Sequence, residues 1–436
     1  MRLFLSISHL LLSLVMIHAE KQITRGPGGR ILANTGVWSP DSKWIVYDTR
    51  SDPAGDKFDG DRIAIVNVET GEVREIYHAT NSAHCGVPIF HPRENKVAFI
   101  LGPEHPTPDW QYGPFHRQGA IVPTDKPAAR INLDARDLTP PFTPGALRGG
   151  SHVHVWDATG QCISFTYEDH VLAQPQAWEG ERPREPNLRN IGVSIPCPVN
   201  VSPDHPRNHD GQYFSVLVTR TVANPKPGSD EIKKAFEEAW LGTNHKALAF
   251  QGHVVTAKNE TISEVFIVDL PGDLTQPGDS PLAGTETRMP CPPKGCTQRR
   301  LTFTADRKFP GIQGPRHWLR SSPDGSRIAF LMKDDAGIAQ LWTISPKGGP
   351  PEQISRNTFD IASAFTWSPD GKQIAHVMDN SVCITEVPSG KTLRLTPRTD
   401  NTRAPRPEAC VFSPDGNKVA CVRRIDGSNQ IFIVSL

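Results

Sequence analysis

One short pattern recurs along this chain and constrains its fold more than any other feature. An apolar strand leads into Ser-Pro-Asp-Gly, or a relative of it, and a second β-rich strand follows. The clear copies run Val37–Tyr47, Phe90–Phe99, Ser322–Phe330, Trp367–Ala375 and Phe412–Ala420. Two looser copies fit between them. One is Trp156–Phe165; in the other, an insertion separates Ser202-Pro203-Asp204 from Asp210–Phe214. Proline presets φ, Asp and Gly supply the turn chemistry, and the flanks are apolar, so each copy reads as a β-hairpin. A third strand often follows, as in Arg62–Val68, Glu264–Leu270, Gln340–Ile344 and Gln430–Val434. A fourth closes on Leu-Thr or similar, as in Arg300–Thr302, Gln353–Ser355 and Arg394–Thr396.

Four strands in each repeat of roughly 40 residues form a sheet that cannot bury both faces without neighbours, the signature of a propeller blade. The expected fold is therefore all-β, a β-propeller. Seven copies predict seven four-stranded blades; six or eight stay open because the third and fourth copies are irregular. The last repeat stops after its third strand at Leu436, and Lys21-Gln22-Ile23-Thr24 supplies an Ile-Thr segment to complete it. One inserted helix is expected over Asp230–Leu241, within an insertion at about 220–245. Ser229 can cap it, Asp230 and Glu231 suit its positive end, and Gly242 follows. Ile232, Ala235, Phe236, Ala239 and Trp240 make one apolar stripe.

Met1–Ala19 reads as a secretory signal, with Arg2 as its basic start and Leu3–Ile17 as its apolar run, leaving one domain over 20–436. The expected location is periplasmic or extracellular, with no membrane span after signal removal. The 436 residues carry 47 basic and 47 acidic side chains, so no basic surplus points to nucleic acid. A monomer is expected. The eight cysteines are scattered rather than framed. Cys291 and Cys296 flank a turn, and Cys410 and Cys421 face each other across a hairpin. Asp52, Asp56, Asp59 and Asp61 read as a solvated acidic loop, without EF-hand spacing.

In a propeller the first strand of each blade lines the central channel. Counting five residues back from each Ser-Pro serine gives Asn34, Gly86, His152, Cys197, His317, Ser363 and Glu408 at one channel mouth. Arg316, Arg403 and Arg406 lie beside two of these positions. Counting across the third hairpin places Tyr167 opposite His152, with Glu168, Asp169 and His170 in the turn beyond. His152 and His154 are two apart on a strand, hence on one face. With His84 as a further donor they could hold one divalent metal ion. No G-x-S-x-G, phosphate-binding or dinucleotide motif is present.

The Ser-Pro-Asp-Gly repeats resemble the TolB-like, WD40-type propellers of exported bacterial proteins over nearly the whole mature chain. Gly149–Leu270 resembles an uncharacterised family of such propellers. That resemblance implies a fold and no established activity, and two readings stand. In the first, the chain is a non-catalytic module that binds a protein or an acidic glycan at the channel mouth. Arg403, Arg406, Glu408, Glu168, Asp169 and His170 are then ligand contacts. In the second, the architecture is similar to propeller uronate lyases. There His152 or His317 is the base, Tyr167 the proton donor, Arg316 a carboxylate clamp, and His84, His152 and His154 the metal ligands.

Overall fold

A computed structural model describes residues 18–127, 129–174, 184–243, 246–315 and 318–436. The recurring turn has one construction. Its serine hydroxyl donates to the aspartate, Ser322 to Asp324 at 2.5 Å and Ser368 to Asp370 at 2.6 Å. The same oxygen accepts from the second strand, from Arg327 N at 3.1 Å and Gln373 N at 2.9 Å. The fourth residue must be left-handed: Gly325, Gly371 and Gly416 have φ of 72°, 71° and 73°, and in the first copy Ser42 takes the same conformation at 59°.

The hairpins build five separate four-stranded antiparallel sheets. Their innermost strands are Cys85–Phe90, Gly149–Trp156, Ile232–Trp240, Arg320–Ser321 and Thr366–Trp367. Seven separate sheets were expected, and the two ends of the chain account for the difference. Gly29–Ile31 and the three strands after it share an eight-stranded sheet with Pro405–Phe412, Lys418–Ile425 and Ser428–Ser435. A single parallel bridge, Gly29 to Asn429, links the two groups. The eighth strand, Glu20–Gln22, pairs antiparallel with Ser428–Ser435, Glu20 opposite Val434. Beyond it Ile23 N donates to Ile431 O at 2.9 Å, and the Thr24 hydroxyl donates to Gln430 Oε1 at 2.9 Å. The first strand thus extends the last group, as the Ile-Thr segment implied.

The apolar core lies in layers between neighbouring sheets, with large rings such as Phe99, Phe250, Phe266 and Phe330 fully buried. Three tryptophans at the ends of innermost strands latch their sheets to the one before. The Trp38 indole donates to Val411 O at 3.0 Å, Trp240 to Val155 O at 2.9 Å, and Trp367 to Arg320 O at 3.0 Å.

Two expectations for the middle of the chain are corrected. Ser202-Pro203-Asp204 starts no sheet; it lies in the connection between Asn190–Val199 and Gly211–Leu217, neighbours in one sheet. Cys197 therefore sits on a third strand, exposed and away from the channel. The expected helix is the missing innermost strand, Ile232–Trp240, paired with Ala247–Val255. Its register shifts twice, between Ile232 and Ala235 and between Phe236 and Ala239. Each bulge adds a residue to the period-two alternation, so the apolar side chains fall at helical spacing on an extended chain. Among the described residues the one helix is His170–Ala173, capped by Asp169.

Candidate functional site

The innermost strands border two cavities that share no lining residue, although Ile232–Trp240 lines neither. Their starts line one of about 560 Å³, through Asn34, Val87, His152, Val153 and Glu408. Their ends line one of about 390 Å³, through Trp38, Phe90, Trp156, Trp367 and Phe412. Arg320 stands between them. Its guanidinium donates to the Asn34 carbonyl at 3.2 Å and to the Asn34 side chain, joining sheets on different sides of the channel. Glu238, fully buried on the neighbouring strand, accepts from Ser164 at 3.3 Å and Thr166 at 3.2 Å. Burial raises its carboxyl to about 7, against the pull of Arg320.

The first cavity owes its walls to unequal connections. In the first three sheets, the second and third strands are joined by the long stretches 51–61, 102–117 and 170–189. In the others the same connection spans only 256–260, 334–338, 379–380 and 426–427. The long connections lock together by ring stacking. Phe58 lies on Tyr112 at 5.1 Å, with Arg50 over Phe58 at 4.3 Å and Arg117 over Tyr112 at 5.0 Å. Arg50 is neutralised by buried Asp48 at 2.7 Å, and Arg189 by Glu168. Arg117 pairs with no carboxylate among the described residues. Arg50, Arg117, Arg189, Phe58 and Trp318 all line the cavity.

The residues singled out from sequence divide. Asn34, His152 and Glu408 meet in this cavity. Glu408 holds Arg406 at 2.7 Å, and Arg406 also reaches Asp56 at 3.1 Å, forming the rim. Arg403 is exposed in a neighbouring groove. Gly86 packs against Asp48, where a Cβ would come within 2.2 Å of a carboxylate oxygen. Ser363 is buried, donating to the Ala364 carbonyl at 2.7 Å. Arg316 and His317 lie outside the described residues, as does the signal segment over 1–17.

Tyr167 does not face His152. The register pairs His152 with Thr166 and Ser151 with Tyr167, one residue from the expected alignment, which turns the phenol to the other face. Its hydroxyl donates to Asp169 at 3.0 Å inside the core. Asp169 is likewise internal, holding Arg148 at 2.7 Å and capping the short helix through Leu172 N at 2.8 Å. His170 stacks in a separate cluster, its Nδ1 2.9 Å from His116 Nε2 and its ring beside Trp110. Burial lowers it to about 3, so it is neutral.

The expected metal ligands do not converge. Val153 sits at φ 59°, and the register shifts between His152 and Val155. This bulge breaks the alternation, leaving His152 in the cavity and His154 buried in the core. His154 lies 2.9 Å from the Ser151 hydroxyl, which donates to Asp134 at 3.0 Å. Burial holds His154 at about 3. His84 meets the edge of Tyr112 at 5.7 Å. No group of three or more His, Cys, Asp or Glu among the described residues fits a metal ion. Every cysteine is free, including the cross-strand pair Cys410 and Cys421 and the pair flanking the turn, Cys291 and Cys296.

Arg50, Phe58, Arg117, Arg189 and Trp318 escaped the reading of innermost strands because four of them belong to the long connections or the strand ends beside them. The signal was available: the second-to-third connections lengthen in the first three repeats alone.

The fold and this mouth define a β-propeller with a cationic, aromatic channel-mouth cavity. The chain belongs to the family of the uncharacterized protein YidR of Escherichia coli (strain K12), to which it is 49% identical over 407 residues, 92% of this chain and 94% of that one. Residues 84–209 match a family described as a protein of unknown function (DUF3748). Among solved structures, an oligogalacturonate lyase in complex with manganese aligns with TM-score 0.60 at 9% identity, over 96% of this chain and 93% of that one. The oligogalacturonate lyase of Vibrio parahaemolyticus aligns with TM-score 0.57 at 9% identity, over 95% and 93%. At these identities the likeness is one of fold. TolB from Acinetobacter baumannii aligns at TM-score 0.38 and 13% identity, over 90% of this chain and 64% of that one.

Proposed function

We propose that this protein is an exported, non-catalytic binding module that takes a carboxylate-bearing sugar at the channel mouth. The observation that carries the reading is Arg117. It is stacked on Tyr112 and Phe58, which fix its position, and no carboxylate among the described residues neutralises it. A guanidinium so placed recognises a carboxylate through paired N–H donors. Trp318 brings an aromatic ring to the same lining, and His152 and Asn34 are its polar neighbours there. In this reading Met1–Ala19 is removed on export. The eight-stranded sheet counts as two blades, first and last, giving a seven-bladed ring.

Calorimetric titration with galacturonic acid and its short oligomers tests the proposal. Binding is expected in the wild type, and a loss of at least tenfold, about 1.4 kcal/mol, in Arg117→Ala. Equal affinity in both would refute it. The likeness to two oligogalacturonate lyases keeps a second reading in view, in which the same mouth cleaves a uronate chain. Release of unsaturated product at 235 nm, abolished by His152→Ala, would replace the binding module with that enzyme.

A further inference from the structure

We propose that the ligand is a linear acidic oligosaccharide held by its end, with its terminal unit in the cavity and the following units in an arginine-lined groove beside it. The proposal rests on the channel-mouth reading above and extends it to ligand length and direction.

Three observations converge. First, the cavity shares no lining residue with the chamber beyond, and Arg320 of that chamber is hydrogen-bonded to Asn34 of this one, which favours entry of a chain by its end. Second, the walls are uneven. Phe58 of 51–61, Arg117 of 102–117 and Arg189 stand on one side, whereas the connections 379–380 and 426–427 are minimal hairpin turns. A ligand longer than the cavity leaves over the low side.

Third, the low side carries a groove of about 940 Å³ lined by Arg403, Arg406, Arg424, Asn401 and Thr402. Pro407 lines both the groove and the cavity, making them neighbours. Arg406 is spent on Glu408 and Asp56 at the threshold. Arg403 and Arg424 are exposed and pair with no carboxylate among the described residues; the Arg424 Nε donates to the Gly427 carbonyl at 3.2 Å. Asp426 is the one acid lining the groove. Two exposed guanidiniums beyond a third in the cavity suit charges repeated along one chain, although Arg403 also feels the neighbouring Asp400. The aromatic rings in the cavity lining favour a sugar over a peptide as the unit that enters first.

The test uses the mature chain with galacturonic acid, its hexamer and a long polygalacturonate. The hexamer should bind at least tenfold more tightly than the monomer, and the excess should shrink with added salt. Arg403→Ala with Arg424→Ala should remove most of that excess and leave monomer affinity within twofold. Both positions are exposed, so folding should survive. Arg117→Ala should weaken monomer and hexamer alike. On the long polymer, binding should saturate at a number of protein molecules per chain that does not grow with chain length.

Equal affinity for monomer and hexamer would overturn the groove while leaving the cavity reading intact. So would a double variant that binds the hexamer like the wild type. Stoichiometry that rises with polymer length would overturn recognition by the end. A glutamate hexamer that binds as tightly as the uronate hexamer would overturn the sugar assignment. Failure of every uronate to bind would overturn the cavity reading and this inference together.

Discussion

The two ends of the innermost strands obey different rules. At the Ser-Pro-Asp-Gly end the sheets repeat one another: an aromatic residue, a serine hydroxyl on an aspartate, and a left-handed fourth residue. At the other end the side chains do not repeat, and what recurs is a bulge in three successive sheets. Asn34, Val87, His152 and Glu408 occupy the cavity wall, and Val87, Val153 and Glu237 each take positive φ, at 53°, 59° and 56°. A β-branched residue in that region is strained, and strain persists where the surrounding structure imposes it. The regular end satisfies the fold. In the proposed reading, the irregular end is the one that carries the site.

That contrast can be broken, and the largest effect should come at the regular end. Trp38→Ala removes a buried ring and its donated hydrogen bond to Val411, and should cost about 3–5 kcal/mol of unfolding free energy in urea. A loss under about 1 kcal/mol would mean that the tryptophan latches do not hold the sheets together.

Next in size is the buried acid between the two chambers. Glu238 is raised to about 7 from an ordinary carboxyl value, so the folded state binds its proton more tightly than the unfolded chain does. Its contribution is fully present below about pH 4.5 and is lost as pH rises to about 7, an effect of order 2–3 kcal/mol. Glu238→Gln should flatten the wild-type decline in stability across that range. Parallel curves for the two proteins would show that Glu238 titrates normally.

A smaller effect should separate the two ends at the level of backbone. Val153→Ala and Val153→Gly remove nearly the same packing, but glycine accepts φ 59° freely. The glycine variant should be more stable than the alanine variant by about 1 kcal/mol, the reverse of the usual order in a strand. The usual order would show that the bulge relaxes on substitution. The smallest effect is expected from reductant. With Cys410 and Cys421 both free thiols, dithiothreitol should leave the melting temperature unchanged, and a fall of several degrees would reveal a disulfide.

The same division decides what could be read from residues alone. The hairpins, the closing segment Lys21–Thr24 and the facing of Cys410 and Cys421 follow from turn chemistry and alternation, which are local, and all are found. The fourth innermost strand was unreadable because two bulges give Ile232, Ala235, Phe236, Ala239 and Trp240 the spacing of a helix face. His152 was placed at the mouth by counting back from a turn. His154 and Tyr167 were not, because one left-handed valine shifts the register after His152 and the cross-strand count ran one residue out. Arg117 and Phe58 lie in long connections, where no period exists to place them. The packing of the first sheet against the second brings those segments together.

The most direct test of the central claim is a paired titration of the uronate hexamer into Arg117→Ala, at the irregular end, and Asp370→Asn, in a turn at the regular end. The account predicts that Arg117→Ala loses at least tenfold in affinity with its unfolding midpoint preserved, while Asp370→Asn keeps wild-type affinity. Wild-type affinity in Arg117→Ala, or its loss in Asp370→Asn without unfolding, would contradict the assignment of function to one end of the channel.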